Sequence, residues 1–136
     1  ALEDKVPVLG ICLGMQLLTL HSEEGDIGGL GWIKAETKKF VLDTERYKIP
    51  HMGWKEVKYS RPDHPLLKNI DPDPRYYFVH SYYVACQDEK NSLARAEYGI
   101  TFDCGIHQDN IVGLQFHPEK SHRFGMEIMK NFIENF

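Results

Sequence analysis

Apolar residues fall along this chain in short runs, and each change in their spacing marks an element. Val6-Pro7-Val8-Leu9-Gly10-Ile11 is almost wholly apolar, which predicts a strand over Val8–Ile11 buried on both faces of a sheet. A strand of that kind takes neighbours on both sides, so further strands are expected upstream of Ala1. From Leu13 to Leu20 the residues Met15, Leu17, Leu18 and Leu20 predict a helix, followed by a glycine-rich loop from Ser22 to Gly31. Trp32–Phe40 and Trp54–Tyr59 are predicted as strands. Pro62, Pro65, Pro72 and Pro74 mark loop and turn, with Leu66–Ile70 packing beneath them. Arg75–Cys86 reads as one long β-prone run, and Leu93–Tyr98 and Ile100–Phe102 as short strands. Cys104–His107 and Ile111–Phe116 flank the turn Gln108-Asp109-Asn110 and predict a hairpin. In Arg123–Phe136, Phe124, Ile128, Phe132 and Phe136 recur every fourth residue with Met129 and Ile133 beside them, the stripe of an amphipathic helix.

These elements predict one α/β domain over residues 1–136: a mostly parallel sheet flanked by helices, with an antiparallel insertion. Composition agrees with a soluble globular domain, at 42% hydrophobic and 26% charged residues. The net charge of −4, from sixteen basic and twenty acidic residues, argues against a dedicated nucleic-acid surface. The apolar stretch Leu9–Leu20 is interrupted by Gly10, Gly14 and Gln16 and is too short to span a bilayer, so no membrane partner is expected. Three cysteines without a CxxC spacing make neither a disulfide framework nor a zinc finger. The expectation is a reduced, cytoplasmic protein.

Two motifs carry chemistry. Gly10-Ile11-Cys12-Leu13-Gly14 places a nucleophile between two glycines where a strand runs into a helix, the pattern of a nucleophile elbow. The turn is tight enough that flanking side chains would collide, and the Leu13 N–H after the nucleophile can donate to an oxyanion. A cysteine at a helix N-terminus also feels the positive end of the dipole, which favours thiolate. Cys86 and Cys104 have no such context and read as structural. The second motif, Leu114-Gln115-Phe116-His117-Pro118-Glu119, ends an apolar strand with an imidazole and a carboxylate two residues apart. At extended spacing both point to one side, and Pro118 keeps His117 out of a helix. Glu119 can then orient the imidazole while its other nitrogen takes the thiol proton.

With these motifs the chain resembles the class I (triad) glutamine amidotransferases, through Gly-Ile-Cys-Leu-Gly-Met-Gln at 10–16 and Gln-Phe-His-Pro-Glu at 115–119. Within that family, Pro50-His51-Met52-Gly53-Trp54, Tyr77-Phe78-Val79-His80-Ser81-Tyr82 and His117-Pro118-Glu119-Lys120-Ser121 resemble the glutaminase subunits of imidazole glycerol phosphate synthase. The resemblance runs from Val8 to Phe136. It implies Cys12, His117 and Glu119 as the triad, with Gly14, Gln16 and Glu24 around a bound glutamine whose oxyanion the Leu13 N–H would meet. It also implies that the His80-Ser81-Tyr82 backbone holds the amino-acid end of that glutamine. Lys120 would face a (β/α)8 cyclase partner in histidine biosynthesis, with no cofactor; Trp54, after a glycine in an expected surface loop, reads either as a core anchor or as an exposed residue at a partner interface.

The chain departs from that pattern in three places. The glycine-rich loop that supplies the family's second oxyanion donor is expected before Ala1. Lys55 stands where the subunits usually have Asn. Ser121-His122-Arg123-Phe124-Gly125 is similar to paralogous subunits that feed ammonia to surface-sugar amidation, which keeps that acceptor as an alternative; a γ-glutamyl hydrolase is a rival of the same mechanism, and half an oxyanion hole keeps a non-catalytic interaction fragment as another. His51, His80, His107, His117 and His122 could in principle gather a metal, but no pair has the helical spacing with a carboxylate of a zinc site, and no metal is expected. Tyr76-Tyr77-Phe78 without interleaved basic residues reads as sheet core and not as a base-stacking platform.

Overall fold

The structure, a computed structural model, describes residues 2–136. In chain order the strands are β1 (Val8–Ile11), β2 (His21–Ser22), β3 (Ile27–Gly28), β4 (Ala35–Lys39), β5 (His51–Glu56) and β6 (Lys58–Tyr59). They continue as β7 (Arg75–His80), β8 (Tyr82–Cys86), β9 (Ser92–Glu97), β10 (Thr101–Gln108) and β11 (Ile111–Leu114). Helix α1 (Leu13–Leu17) follows β1, and helix α2 (His122–Asn135) closes the chain. The main sheet runs β1-β11-β10-β8-β4-β2-β3, with β9 on β10 and β6 on β9, while β5 and β7 pair separately as a ribbon. No helix among the described residues is long and apolar enough to cross a membrane.

The sheet is mixed, which corrects the expectation of a mostly parallel one. Only β1–β11 and β2–β4 run parallel among the described strands; the remaining pairings are antiparallel. The cause is connection length. A tight turn such as Asp109-Asn110 can only return the chain antiparallel, whereas a parallel neighbour needs a long crossover.

Several boundaries also move. Helix α1 stops at Leu17 because the Thr19 hydroxyl takes the Gln16 carbonyl at 2.7 Å and the Leu20 amide goes to Ala35 at 2.9 Å, across to β4. The predicted strand from Trp32 begins only at Ala35, since the Ile33 amide bonds the Leu18 carbonyl in a turn. The predicted strand from Trp54 instead starts at His51 and is divided at Val57. The run Arg75–Cys86 breaks at Ser81, with β7 joining the ribbon and β8 the main sheet. Asp103 lies inside a single β10 and does not divide two strands. Ser92 Oγ (2.6 Å), Arg95 Nε (3.2 Å) and the Cys86 amide (2.8 Å) all donate to its carboxylate, which satisfies a charge otherwise costly in a sheet.

Two apolar layers hold the sheet. Met15, Leu18, Ile33, Val84, Ile106 and Ile111 pack on the α1 side. Phe40, Tyr76, Phe78, Phe102, Phe116 and Ile128 fill the larger layer under α2 and the ribbon. Phe102 and Ile106 share strand parity yet reach opposite layers, because register shifts between Asp103 and Ile106 turn the strand over. Helix α2 buries Ile128 and lays Phe124, Phe132 and Phe136 against the core, whereas Ile133 is 76% exposed and leaves the predicted stripe.

Gly125 sets how closely α2 approaches the turn after β11. A Cβ there would sit 1.8 Å from the Pro118 carbonyl oxygen and 2.6 Å from its carbon, both backbone atoms that cannot step aside. Gly125→Ala should therefore lower stability by about 1–3 kcal/mol, read as a shift in the denaturant midpoint at unchanged slope.

Candidate active site

The site lies at the carboxyl ends of the parallel pair β1–β11, where open α/β sheets bind ligands. Cys12 follows β1 directly, and its amide bonds the Leu114 carbonyl at 2.7 Å, continuing the ladder by one step. Its backbone stands at φ 54° and ψ −107°, a strained conformation for a residue with a Cβ. That strain is what lifts the side chain out of the strand-to-helix turn. Gly10 makes the turn possible: a Cβ there would come within 2.7 Å of the Gly14 carbonyl oxygen and 2.9 Å of the Met15 nitrogen. Gly14 does not carry the same constraint, because a Cβ at that position meets open space.

The thiol is half-buried. It donates to the Val79 carbonyl at 3.7 Å and accepts from Gln115 Nε2 at 3.6 Å. Burial pushes the Cys12 thiol above its ordinary value, and Glu119 and Glu24 push it the same way; the Leu13 N–H and the Gln115 amide oppose them and lose. This corrects the expected thiolate. The helix behind it is one short turn of five residues, too little dipole to outweigh desolvation. A neutral thiol needs a base before it can attack.

A candidate base lies just past the end of the neighbouring strand β11, at the head of the next turn. His117 Nδ1 meets Glu119 Oε1 at 2.5 Å, which leaves Nε2 as the nitrogen able to accept a proton. The pairing is made differently from the expected alternation. Pro118–Lys120 form one 3₁₀ turn, so the carboxylate curls back to the ring instead of lying along an extended strand. Ribbon strand β7 holds this turn: the His117 amide bonds the Tyr77 carbonyl at 3.0 Å, and Ser121 Oγ bridges from the Tyr77 amide (2.9 Å) to the His117 carbonyl (2.6 Å). The same strand therefore touches both the thiol, through Val79, and the imidazole segment, through Tyr77.

A pH series of iodoacetamide reactions should label Cys12 ahead of Cys86 and Cys104, with a rate still climbing at pH 9.0, the ordinary thiol value. Burial also raises the other two thiols, and Cys104 is fully enclosed. A rate for Cys12 that levels off near neutral pH, seen by peptide mapping, would contradict the raised thiol.

The other predicted residues divide into groups. Gln16 is buried, its amide donating to the Tyr82 carbonyl and to Gln115 Oε1, each at 3.5 Å. The Ser81 carbonyl accepts from the Phe40 amide at 3.2 Å, and the His80 ring turns inward towards His51, while Ser81 and Tyr82 are half-buried. Glu24 is exposed in the loop after β2, its amide on Ser22 Oγ at 3.1 Å, and it acts on Cys12 through its charge. Lys120 is exposed on the 3₁₀ turn. Trp54 is 45% exposed and stacks on His122 at 5.5 Å, edge-on to Tyr77. Trp54 also lines a groove of about 810 Å³ with Lys55, Arg75 and Arg95, but none of Cys12, His117 or Glu119 lines it.

The class-I glutamine amidotransferase profile matches residues 1–136. The chain belongs to the class I glutamine amidotransferase family. It is 55% identical over 132 residues to the imidazole glycerol phosphate synthase subunit HisH 2 of Methanococcus maripaludis, covering 97% of this chain and 64% of that protein. It is 49% identical to the corresponding HisH subunit of Leptospira borgpetersenii, over 94% of this chain and 63% of the relative. The chain thus spans a little under two thirds of the length of these relatives. Among solved structures it superposes on PurLQS from Thermotoga maritima with a TM-score of 0.73 at 18% identity, over 98% of this chain and 63% of the other. The glutaminase domain of Trypanosoma brucei CTPS gives 0.64 at 16% identity, over 100% of this chain and 63% of that one. At such identities these two establish a shared fold.

Gln115, Val79, Tyr77 and Ser121 carry no predicted role in the sequence. Gln115 was within reach of strand logic, since it lies two residues before His117 and so on the same face. The carbonyls of Val79 and Tyr77 left no signal, because every residue has one.

Proposed function

We propose that this amidotransferase domain hydrolyses the side-chain amide of glutamine with Cys12 as nucleophile, His117 as proton carrier and Glu119 as its orienting carboxylate. The observation that carries the reading is the 2.5 Å His117–Glu119 contact in the turn after β11, the strand that pairs with the one leading into the strained Cys12 elbow. His117 Nε2 takes the thiol proton as sulfur attacks the amide carbon, and the Leu13 N–H donates to the oxyanion. The imidazolium returns that proton to the departing nitrogen, releasing ammonia and leaving a γ-glutamyl thioester. Water, deprotonated by His117, then cleaves the thioester to glutamate and restores the thiol. Gly14, Gln16, Glu24 and the His80-Ser81-Tyr82 backbone surround the substrate in this reading.

Ammonia released into neutral water is mostly protonated and no longer a nucleophile, so the chemistry calls for a channelled acceptor. We assign that acceptor to a (β/α)8 cyclase subunit, as the named relatives belong to imidazole glycerol phosphate synthase. The exposed Trp54 and Lys120 support this face as the docking surface, an exposed Trp being a common binding anchor. His122 ties Trp54 to the start of α2, next to the Glu119 turn, so a partner seated on Trp54 would lie close to the segment that holds His117. The test is glutamate release with the cyclase and its ligand present, compared with the protein alone. Stimulated turnover supports the assignment; turnover indifferent to the cyclase but coupled to a sugar-amidating synthase assigns the acceptor elsewhere.

A further inference from the structure

His51 and His80 are buried, at 2% and 5% exposure, and face each other directly across the β5–β7 ribbon. His51 Nδ1 lies 2.9 Å from His80 Nε2, and His80 Nδ1 lies 2.7 Å from the Tyr82 carbonyl oxygen. A carbonyl only accepts, so His80 must carry its proton on Nδ1. Its Nε2 is then an acceptor while the ring is neutral, and His51 must donate from Nδ1. With both rings neutral the geometry admits one arrangement: two Nδ1–H imidazoles in series, ending on Tyr82. Protonating His80 would force His51 to give up its Nδ1 proton and accept there instead.

We infer that His51 and His80 form a positioning pair that locks the Ser81 bend and the Tyr82 carbonyl, and through them the polar layer beneath Cys12. The inference rests on the glutaminase reading for its catalytic meaning. The Tyr82 carbonyl that ends the series also receives Gln16 Nε2; Gln16 Nε2 reaches Gln115 Oε1, and Gln115 Nε2 reaches the Cys12 sulfur. In the other direction, the residue before His80 is Val79, whose carbonyl takes the thiol. The bend fixed by the pair is thus joined to Cys12 from two sides, and it is the segment proposed to cradle the amino-acid end of glutamine.

The surroundings keep both rings neutral. His51 is stacked between Tyr98, at 4.0 Å, and Phe78, at 5.2 Å; His80 packs against Phe40 and Phe102. Burial pulls His51 down to about 3 and His80 to about 4. His80 and Lys55 along β5 oppose a positive charge on His51, and His117 beyond β7 opposes one on His80; the Tyr82 carbonyl favours a charged His80 and loses to burial. A buried imidazole left without its partner would bear the full desolvation cost, which makes the pair a stiff element.

Two measurements test this, and they fail separately. Long-range ¹H–¹⁵N spectra of the histidine rings should show His51 and His80 protonated at Nδ1 only, unchanged between about pH 5 and about pH 8, where an unperturbed His titrates. An Nε2–H tautomer at either ring, or titration of either within that range, overturns the pair. In kinetics, His51→Phe keeps a ring but deletes the donor, and should raise KM for glutamine about tenfold with kcat within about twofold. His51→Asn, whose amide replaces the Nδ1 donor, should recover most of that loss. An unchanged KM in His51→Phe, or equal damage in both variants, overturns the positioning role. Should the unsubstituted protein release no glutamate, the glutaminase reading fails by itself. Iodoacetamide reactivity of Cys12 then reads the same positioning: a rate altered in His51→Phe and restored in His51→Asn supports it, and an unaltered rate overturns it. Should His51→Phe not fold, the ring spectra of the unsubstituted protein still decide.

Discussion

Cys12→Ser should lower glutamate release by about 10³-fold or more while the melting temperature stays unchanged within error. The two side chains are near-isosteric, so the elbow backbone at φ 54° and the Leu114 ladder bond survive the exchange. What changes is the acid that must give up its proton. Burial already holds the Cys12 thiol above its ordinary value, and a hydroxyl in the same pocket lies far higher again. His117 can deprotonate the first and not the second at a useful rate. Steady-state turnover with the cyclase present, paired with thermal unfolding, checks both halves. A serine variant within tenfold of the parent would remove Cys12 from the reaction.

His117→Asn should cost about 10⁴-fold in kcat and Glu119→Gln about 10²-fold. The imidazole carries the proton in both directions, so without it neither the thiol nor the leaving nitrogen is served. Glu119 acts one step removed: its Oε1 holds Nδ1 and steadies the imidazolium. A glutamine there keeps a carbonyl oxygen that can accept from Nδ1–H, so the tautomer is preserved and only the charge is lost. Stopped assays of the two variants and the parent, at saturating glutamine, separate these roles. Equal losses, or a larger loss for Glu119→Gln, would contradict them.

The Cys12 elbow and the His117–Glu119 pair are legible in the sequence because both motifs are local. Gly10 and Cys12 meet within one turn, and His117 and Glu119 within another, so their mutual geometry is set by near neighbours. Even there the detail differs: the His117–Glu119 contact comes from a 3₁₀ turn at Pro118 and not from strand alternation. Helix α2 and the β10–β11 hairpin are legible for the same local reason. Partner choice is not. The β-prone run through Tyr76 and Tyr83 carries no mark of the bend at Ser81 that sends its halves to different sheets. Asp103 looks like a strand breaker because Ser92, Arg95 and Cys86, which neutralise its cost, come from other strands. The thiol state escapes for a related reason. The helix N-terminus is visible in sequence, whereas the burial that overrides it is assembled from Val79, Gln115 and the ribbon.

That Cys12 is the nucleophile of a glutaminase is tested most directly by a glutamine-mimicking diazoketone, applied to the protein with its cyclase partner and followed by peptide mapping. The label should fall on Cys12 alone, excess glutamine should protect it, and Cys12→Ser should remove it. Label on Cys86 or Cys104, or on Cys12 without protection by glutamine, would contradict the assignment.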